Sequence, residues 1–294
     1  MLGLAKKPFL SKLRSIIFRG YEMQTDYLEE FELDGYAVFR QVFKPQEMTE
    51  IHAATERVRQ RALAGQKSCG NAKFYISDGY VRSATWCAMY EPILAEVRSD
   101  QRLLTIIEPL IGNNVRQLIN NLHWKTPGST HSVAFHADRI NRINGQAQAI
   151  RNLPQSYIQT GLAVDPMQAD NGPLIVIRGS HKQIDKEPIP TSVYSDDVVM
   201  KDELFDLGYH EEDIIELHLE PGDLAIWGPD TLHGSAANQN SELDRCFHIN
   251  GYVNAYDCFM GYWAWIIGAS ISLPPKEVPE HVFGKQNFEM FEAK

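Results

Sequence analysis

From residue 115 onward, the sequence is a series of short runs rich in β-branched and aromatic residues. Turn signals separate these runs: Thr-Pro-Gly at 126–128, Asp-Asn-Gly at 170–172 and Pro-Gly-Asp at 221–223. Regular alternation of short strands and turns is typical of an all-β sandwich or barrel. The predicted strands span 115–124, 132–138, 157–164, 173–177, 214–219, 223–227 and 245–254.

The first third of the chain is predicted to be mainly helical, because apolar residues recur there at helical spacing. Pro45 is a typical first residue of a helix, and Gly112 is a typical residue to follow the last turn of one. The predicted elements are a helix around 27–31, a strand at 36–42, and helices over 45–64 and 101–111.

Seven or eight short strands after a helical layer predict a mainly β fold with flanking helices, built on a double-stranded β-helix core (a cupin-like jelly-roll). The chain has 294 residues, of which 44% are hydrophobic, enough for one such domain. We expect a single domain over 21–294, after a basic amphipathic segment at 1–20. Residues 139–155 and 188–212 interrupt the strands, and loops of that length are usually lids or binding segments.

The charge of the chain restricts its partners. A net charge of -10 argues against a nucleic-acid partner, because neutralising phosphates requires a basic face. Residues 1–20 nevertheless carry five Lys or Arg and no acid, so they either lie on an anionic membrane surface or pack on their own domain. The four cysteines form no CxxC pair, which favours free thiols and a cytoplasmic protein. Peripheral contact with the cytoplasmic face of a membrane stays open, as does a homo-oligomer.

The most informative local motif is His136-Ala137-Asp138, at the end of a predicted strand. Side chains at positions i and i+2 of a strand share one face, roughly 6.5–7 Å apart, so both can approach one ion. His233 follows a later strand and is the candidate third ligand. Two imidazoles and one carboxylate form the facial triad of non-haem Fe(II) oxygenases, which leaves three coordination positions open. The HxD pattern alone is weak evidence, because a structural histidine is the commoner alternative.

Several further segments, together with this motif, resemble the phytanoyl-CoA dioxygenase family of Fe(II)- and 2-oxoglutarate-dependent oxygenases. The resemblance extends over about 27–252. Ala137 departs from the family pattern, which commonly has Gln there, so the contact made by that Gln is in doubt. Asp138 is present, which disfavours the halogenase branch. The segments that carry the resemblance are 31–38, 43–48, Lys-Thr-Pro-Gly at 125–128, Asn-Gly-Pro-Leu at 171–174, Arg-Gly-Ser-His at 178–181, Pro-Gly-Asp at 221–223 and His-Gly-Ser-Ala-Ala-Asn at 233–238.

The resemblance implies that Arg245 and Ser235 hold the distal carboxylate of 2-oxoglutarate. A guanidinium suits this role because it binds a carboxylate through two parallel hydrogen bonds. The alternative for Arg245 is an exposed arginine at a strand end, paired with Asp244 or Glu242. Weaker candidates for co-substrate contacts are Lys125, Asn121 and Thr160.

The implied reaction is hydroxylation of a C–H bond with Fe(II), 2-oxoglutarate and O2, releasing succinate and CO2. A metal-binding jelly-roll sensor without turnover is the alternative from another class. Such a sensor has no need of the carboxylate clamp at Arg245 and Ser235. The tryptophans Trp124 and Trp227 are predicted to be core residues, and His131 is predicted to be a loop histidine.

The substrate is less well defined by the sequence. Arg139, Arg142 and Arg151 follow the metal motif and suggest an anionic substrate, unless they pair with the acidic stretch 196–212. The basic segment 1–20 and the aromatic run at 262–267 suggest a lipid-linked substrate, for which the Kdo sugar of lipid A is a candidate. A soluble metabolite or an acyl-CoA is the competing substrate class.

Overall fold

The computed structural model describes residues 27–66, 72–139, 150–184, 194–195 and 201–273. The basic segment 1–20 lies outside these residues. Within them, none of the helices combines the length and the apolar character that crossing a membrane requires.

The described helices agree with the sequence patterns that predicted them. The helix predicted over 101–111 has those bounds, and the side chain of Asp100 caps it by accepting a hydrogen bond from the backbone N–H of Arg102 at 2.8 Å. The long helix begins at Pro45 as predicted and ends one residue before Ala64. The helices are α1 (Tyr27–Asp34), α2 (Pro45–Leu63), α3 (Pro92–Val97), α4 (Gln101–Ile111), α5 (Leu153–Ser156) and α6 (Lys201–Asp206).

All seven predicted strands are present, and the mainly β prediction is confirmed. The predicted strand 245–254 has those bounds, and the other six differ at their ends by one or two residues. The eighth strand, predicted at 36–42, is also present but ends three residues earlier, at Phe39. The strands are β1 (Tyr36–Phe39), β2 (Lys73–Ser77), β3 (Tyr80–Thr85), β4 (Val115–Lys125), β5 (Ser132–His136), β6 (Tyr157–Ala163), β7 (Leu174–Ile177), β8 (Tyr194–Ser195), β9 (Ile214–Leu217), β10 (Leu224–Trp227), β11 (His233–Ser235), β12 (Arg245–Asn254), β13 (Tyr262–Ile266) and β14 (Ala269–Ser270).

These strands form two sheets, as a jelly-roll requires. The larger sheet has the order β1-β10-β6-β12-β4-β13-β14, and the β2–β3 hairpin extends it through β4. The smaller sheet has the order β8-β5-β11-β7-β9. Every pairing between these strands is antiparallel, so side chains alternate between the two faces of each sheet.

Three apolar clusters distinguish the faces of the two sheets. The outer face of the larger sheet packs against α2 and α4, where Ile158 of β6 joins the helical residues Ile51 and Ile107. Between the sheets, Phe247 of β12 packs with Val176 of β7. The outer face of the smaller sheet forms a third cluster, in which Phe135, Ala137 and Ile177 pack with Leu204 of α6. The space between the sheets is therefore the interior of the barrel.

Gly161 of β6 makes room for an aromatic ring in this interior. A Cβ atom at position 161 would lie 2.0 Å from Cζ of Phe247. Phe247 is 1% exposed and stacks on Trp227 at a centroid distance of 6.3 Å, so its ring has little room to withdraw. The glycine is needed at this position for packing.

Gly161→Ala is therefore expected to destabilise the fold by about 1–3 kcal/mol, the usual cost of overpacking a core. Urea unfolding measures this loss in the free energy of unfolding. Gly228→Ala is the matched control, because its Cβ would meet neighbours at ordinary contact distances of 3.7 and 3.8 Å. Equal stability of the two variants would contradict this account of Gly161.

Candidate active site

The register of β5 and β11 brings two histidines together. The two strands pair antiparallel, and His136, the last residue of β5, lies opposite His233, the first residue of β11. Their ring centroids are 4.4 Å apart, and both residues are buried. A pairing between strands almost a hundred residues apart thus places two imidazoles side by side.

Hydrogen bonds to carbonyl groups fix the tautomer of both rings. His136 donates from Nδ1–H to the carbonyl oxygen of Ala134 at 2.9 Å, and His233 donates in the same way to Thr231 at 2.9 Å. Because a carbonyl oxygen can only accept, the proton of each neutral ring lies on Nδ1 and the lone pair on Nε2. Metal-binding histidines typically have this arrangement.

Asp138 completes the group, two residues after the end of β5. Its Oδ2 lies 3.8 Å from Nε2 of His233, and it is buried to a similar degree. One ligand atom from each of His136, Asp138 and His233 can be chosen so that all three lie within 4.8 Å of one another. Two imidazole nitrogens and one carboxylate oxygen at this spacing fit a single Fe(II) ion. The structure thus brings together the three ligands that the sequence predicted.

A fourth polar residue, Gln159 of β6, reaches this group and was not predicted. Its Nε2 donates a hydrogen bond to Oδ2 of Asp138. All seven residues of β6 are buried, and a polar side chain in a fully buried strand is the one sequence signal that would have identified it. Ala137, at the position where the family commonly has Gln, packs in the outer apolar cluster of the smaller sheet.

A pair of buried cations lies on the inner face of the larger sheet. Arg245, the first residue of β12, is directly opposite Lys125, the last residue of β4. Arg245 donates from Nε and Nη2 to the carbonyl oxygen of Gly172 at 2.9 and 2.6 Å. Lys125 donates from Nζ to Oγ of Ser235 at 2.7 Å. Ser235 is two residues after His233 on β11, so the cations lie beside the histidine pair.

Neither of the two basic side chains is in ion-pair contact with a carboxylate of the described residues. Burial lowers the pKa of Arg245 to about 10, and burial followed by repulsion from Arg245 lowers the pKa of Lys125 well below its ordinary value. Among the described residues, no carboxylate forms an ion pair with either side chain. Buried charges are expensive unless they are paired, so this site favours a ligand that brings a carboxylate. The predicted alternative is wrong, because Arg245 is buried and Asp244 pairs with Arg59.

Two histidines near these cations are kept neutral. Burial, followed by repulsion from Arg245 and Lys125, lowers the pKa of His123 to about 4. The pKa of His131 is lowered to about 3, by burial first and then by Lys125. His131 is thus a buried residue, bonded to Oγ of Ser129 at 2.7 Å, and it adds no positive charge at neutral pH. These two histidines therefore contribute no positive charge to the site beside Arg245 and Lys125.

Comparison with known proteins agrees with this geometry. The sequence profile of the family described as "Phytanoyl-CoA dioxygenase (PhyH)" matches residues 31–246. The chain belongs to the phytanoyl-CoA dioxygenase family. The resemblance seen in the sequence motifs is thereby confirmed.

Individual members and structural neighbours of the family were also found. The ectoine dioxygenase of Stutzerimonas stutzeri (strain A1501) is 27% identical over 159 residues, which cover 53% of this chain and 50% of the relative. This chain thus spans about half the length of that curated relative. EctD from S. alaskensis with bound Fe has the same fold, with a TM-score of 0.64 and 18% identity over 91% of this chain and 85% of that chain. The epimerase SnoN, in complex with Fe3+, alpha ketoglutarate and nogalamycin RO, has a TM-score of 0.56 and 17% identity over 77% and 82% of the two chains.

The remaining candidates for co-substrate contacts, Asn121 and Thr160, lie on different faces of the larger sheet. Asn121, His123 and Lys125 are two residues apart along β4 and share one face of the strand, so Asn121 lies on the inner face with Lys125. Thr160 does not. It lies on the same face of β6 as Ile158 and Leu162, which pack on the helical side, and its buried hydroxyl has no hydrogen-bond partner among the described residues. The predicted contact between Thr160 and a co-substrate is therefore wrong.

Two of the three arginines predicted to bind substrate, Arg139 and Arg151, lie among the described residues and have different partners. Arg139 pairs with Asp230, with Nε and Oδ1 2.6 Å apart, a partner that was not among the predicted ones. Arg142 lies outside the described residues. Arg151 is exposed, and its guanidinium carbon lies 5.8 Å from the ring centroid of Phe259.

Trp227 is a core residue as predicted, and it also forms a wall of the site. It is 1% exposed, and its ring centroid lies 5.4 Å from that of His233. Phe247 stacks behind it. The metal ligands therefore have an apolar aromatic side that excludes water.

Proposed function

We propose that this protein is an Fe(II)- and 2-oxoglutarate-dependent dioxygenase that hydroxylates a C–H bond of a small soluble molecule. One observation supports this above all others: a triad suited to Fe(II) lies beside two buried basic side chains, neither of which is in ion-pair contact with a carboxylate of the described residues. A metal site alone would fit many jelly-roll proteins. The additional Arg245–Lys125 pair matches a dicarboxylic co-substrate whose far end must be neutralised.

Each group has a defined task in this proposal. His136, Asp138 and His233 would hold Fe(II) through one face, which leaves positions for the co-substrate and O2. The bound metal and 2-oxoglutarate supply the oxidising power for C–H cleavage, with succinate and CO2 as the by-products. Arg245 and Lys125 would bind the distal carboxylate, assisted by the hydroxyl of Ser235.

The aromatic wall has a different task. Trp227 and Phe247 keep water from the metal ligands, which strengthens every electrostatic interaction inside the site. These residues orient and shield the reacting groups, while the metal performs the oxidation.

A free small molecule is a better substrate proposal than a lipid-linked sugar. EctD from S. alaskensis was crystallised with 2-oxoglutarate and 5-hydroxyectoine, and SnoN with nogalamycin RO. The features that suggested the Kdo sugar of lipid A do not support it within the described residues. Arg139 is paired with Asp230, and the aromatic run 262–267 is largely β13, whose Trp265 is fully buried.

Anaerobic addition of Fe(II) and 2-oxoglutarate to the full chain tests the proposal. Chelation of the metal by the co-substrate is expected to give a visible charge-transfer band, and admission of air is expected to give succinate slowly without substrate. A substrate screen then scores succinate formation above this background. Absence of both the band and succinate would reject the dioxygenase and leave the metal-binding sensor.

A further inference from the structure

The three metal ligands differ in how the backbone holds them. His136 and His233 are paired in a β-ladder, and each ring is further fixed by its Nδ1–H bond to a carbonyl oxygen. Asp138 comes after β5 has ended, next to Arg139, whose backbone N–H donates to the carbonyl oxygen of Pro229 at 2.9 Å. That hydrogen bond holds the backbone next to Asp138. The rotamer of the Asp138 carboxylate is set by contacts of the side chain itself.

Gln159 provides one such side-chain contact from the opposite sheet. It is 4% exposed, and alternation along β6 places it on the inner face, opposite to Ile158. Its amide donates to Oδ2 of Asp138, the same oxygen that lies 3.8 Å from Nε2 of His233. The glutamine therefore acts on the carboxylate oxygen that lies nearest to a second ligand.

The neighbour of Gln159 in the sheet supports another ligand. Gln159 and Trp227 are partners in the register of β6 and β10. Gln159 bonds to Asp138, while the ring of Trp227 packs against His233. One cross-strand pair of the larger sheet thus contacts two of the three ligands that the smaller sheet and its adjoining loop present.

We propose that Gln159 is a positioning residue for the metal, which holds the carboxylate of Asp138 in the orientation that ligation requires. The inference rests on the proposed function only in taking the triad as the metal site. An amide is suited to this task because it donates a charge-assisted hydrogen bond without adding a second buried negative charge. Loss of such a partner of a metal ligand typically weakens metal binding about 10- to 100-fold.

Gln159→Leu, which removes the amide and keeps most of the volume, tests this role. Mn(II) is the probe, since it resists oxidation, and the free-ion electron paramagnetic resonance signal measures its binding to the full chain. We expect the Mn(II) dissociation constant to rise at least about tenfold. Thr160→Val is the matched control, because the next residue of the same strand faces the helices and its hydroxyl has no partner among the described residues. Its Mn(II) affinity is expected to equal that of the wild type.

A second measurement separates positioning from general damage. At saturating Mn(II), the affinity of Gln159→Leu for 2-oxoglutarate is expected to stay near the wild-type value, because the cation pair is on β4 and β12. Parallel loss of both affinities would overturn the proposal, as would an unchanged Mn(II) affinity in the folded variant. If wild type and His136→Ala bind Mn(II) equally, the triad is not the metal site, and the proposed function fails instead.

Discussion

His136→Ala and Asp138→Ala are each expected to abolish Fe(II)-dependent succinate formation, with a fall of at least about 10²–10³-fold. Each substitution removes one of the three ligands. The described residues contain no second group of His, Cys, Asp or Glu side chains that could hold the metal instead. The metal contributes several kcal/mol to stabilising the transition state, and each 1.36 kcal/mol corresponds to tenfold in rate. Succinate formed per minute at saturating Fe(II) and 2-oxoglutarate measures the effect.

A surface histidine provides the control for these two variants. His218 has a side chain that is 59% exposed and pairs with Glu216, so His218→Ala is expected to retain wild-type turnover. Thermal unfolding of each variant without metal checks that the fold is intact. Turnover by folded His136→Ala at more than a tenth of the wild-type rate would show that the reacting metal is held elsewhere.

The elements that sequence could predict are those with strong local signals at their ends. Helix α4 has a capping aspartate before it and Gly112 after it, and its predicted bounds were right. Strand β12 begins after a polar turn and continues as one long buried run, and it was also placed correctly. In both cases the residues that start and stop the element are adjacent to it in the chain.

The elements that sequence missed lack such signals. Strand β2 has no buried residue and β3 has only two, so no regular alternation of apolar and polar residues marks this hairpin in the sequence. Strand β13 covers most of the aromatic run 262–267, whose composition suggested a lipid-linked substrate and no strand, and β14 follows it. These strands are defined by pairing with β4 and with each other, which is information from distant parts of the chain.

The site shows the same division between local and distant information. The triad was predictable because His136 and Asp138 are two residues apart and the family motifs supplied His233. Thr160 was placed wrongly because β6 is buried on both faces, and a shift of one residue reverses which side chains face the interior. For the same reason Gln159 was overlooked, and the pairing of Arg139 with Asp230 across 91 positions left no trace in the local sequence.

Arg245→Ala is expected to raise the concentration of 2-oxoglutarate needed for half-maximal succinate formation by about 30-fold or more. Truncating one partner of a buried, hydrogen-bonded charge pair costs about 2–5 kcal/mol, and each 1.4 kcal/mol is tenfold in affinity. Lys125 remains in this variant, so some attraction for the carboxylate persists. The Mn(II) affinity measured without 2-oxoglutarate should not change, because none of the three ligands contacts Arg245 in the described structure.

Ser235→Ala is the graded control for the arginine. It removes one neutral hydroxyl that accepts from Lys125 at 2.7 Å, so a rise of only about threefold to tenfold is expected. The order of the two effects is the decisive result, because it follows from charge and burial rather than from distance to the metal. If Arg245→Ala needs no more 2-oxoglutarate than the wild type, the buried cations do not hold the co-substrate, and their burial without an acid must serve another anion.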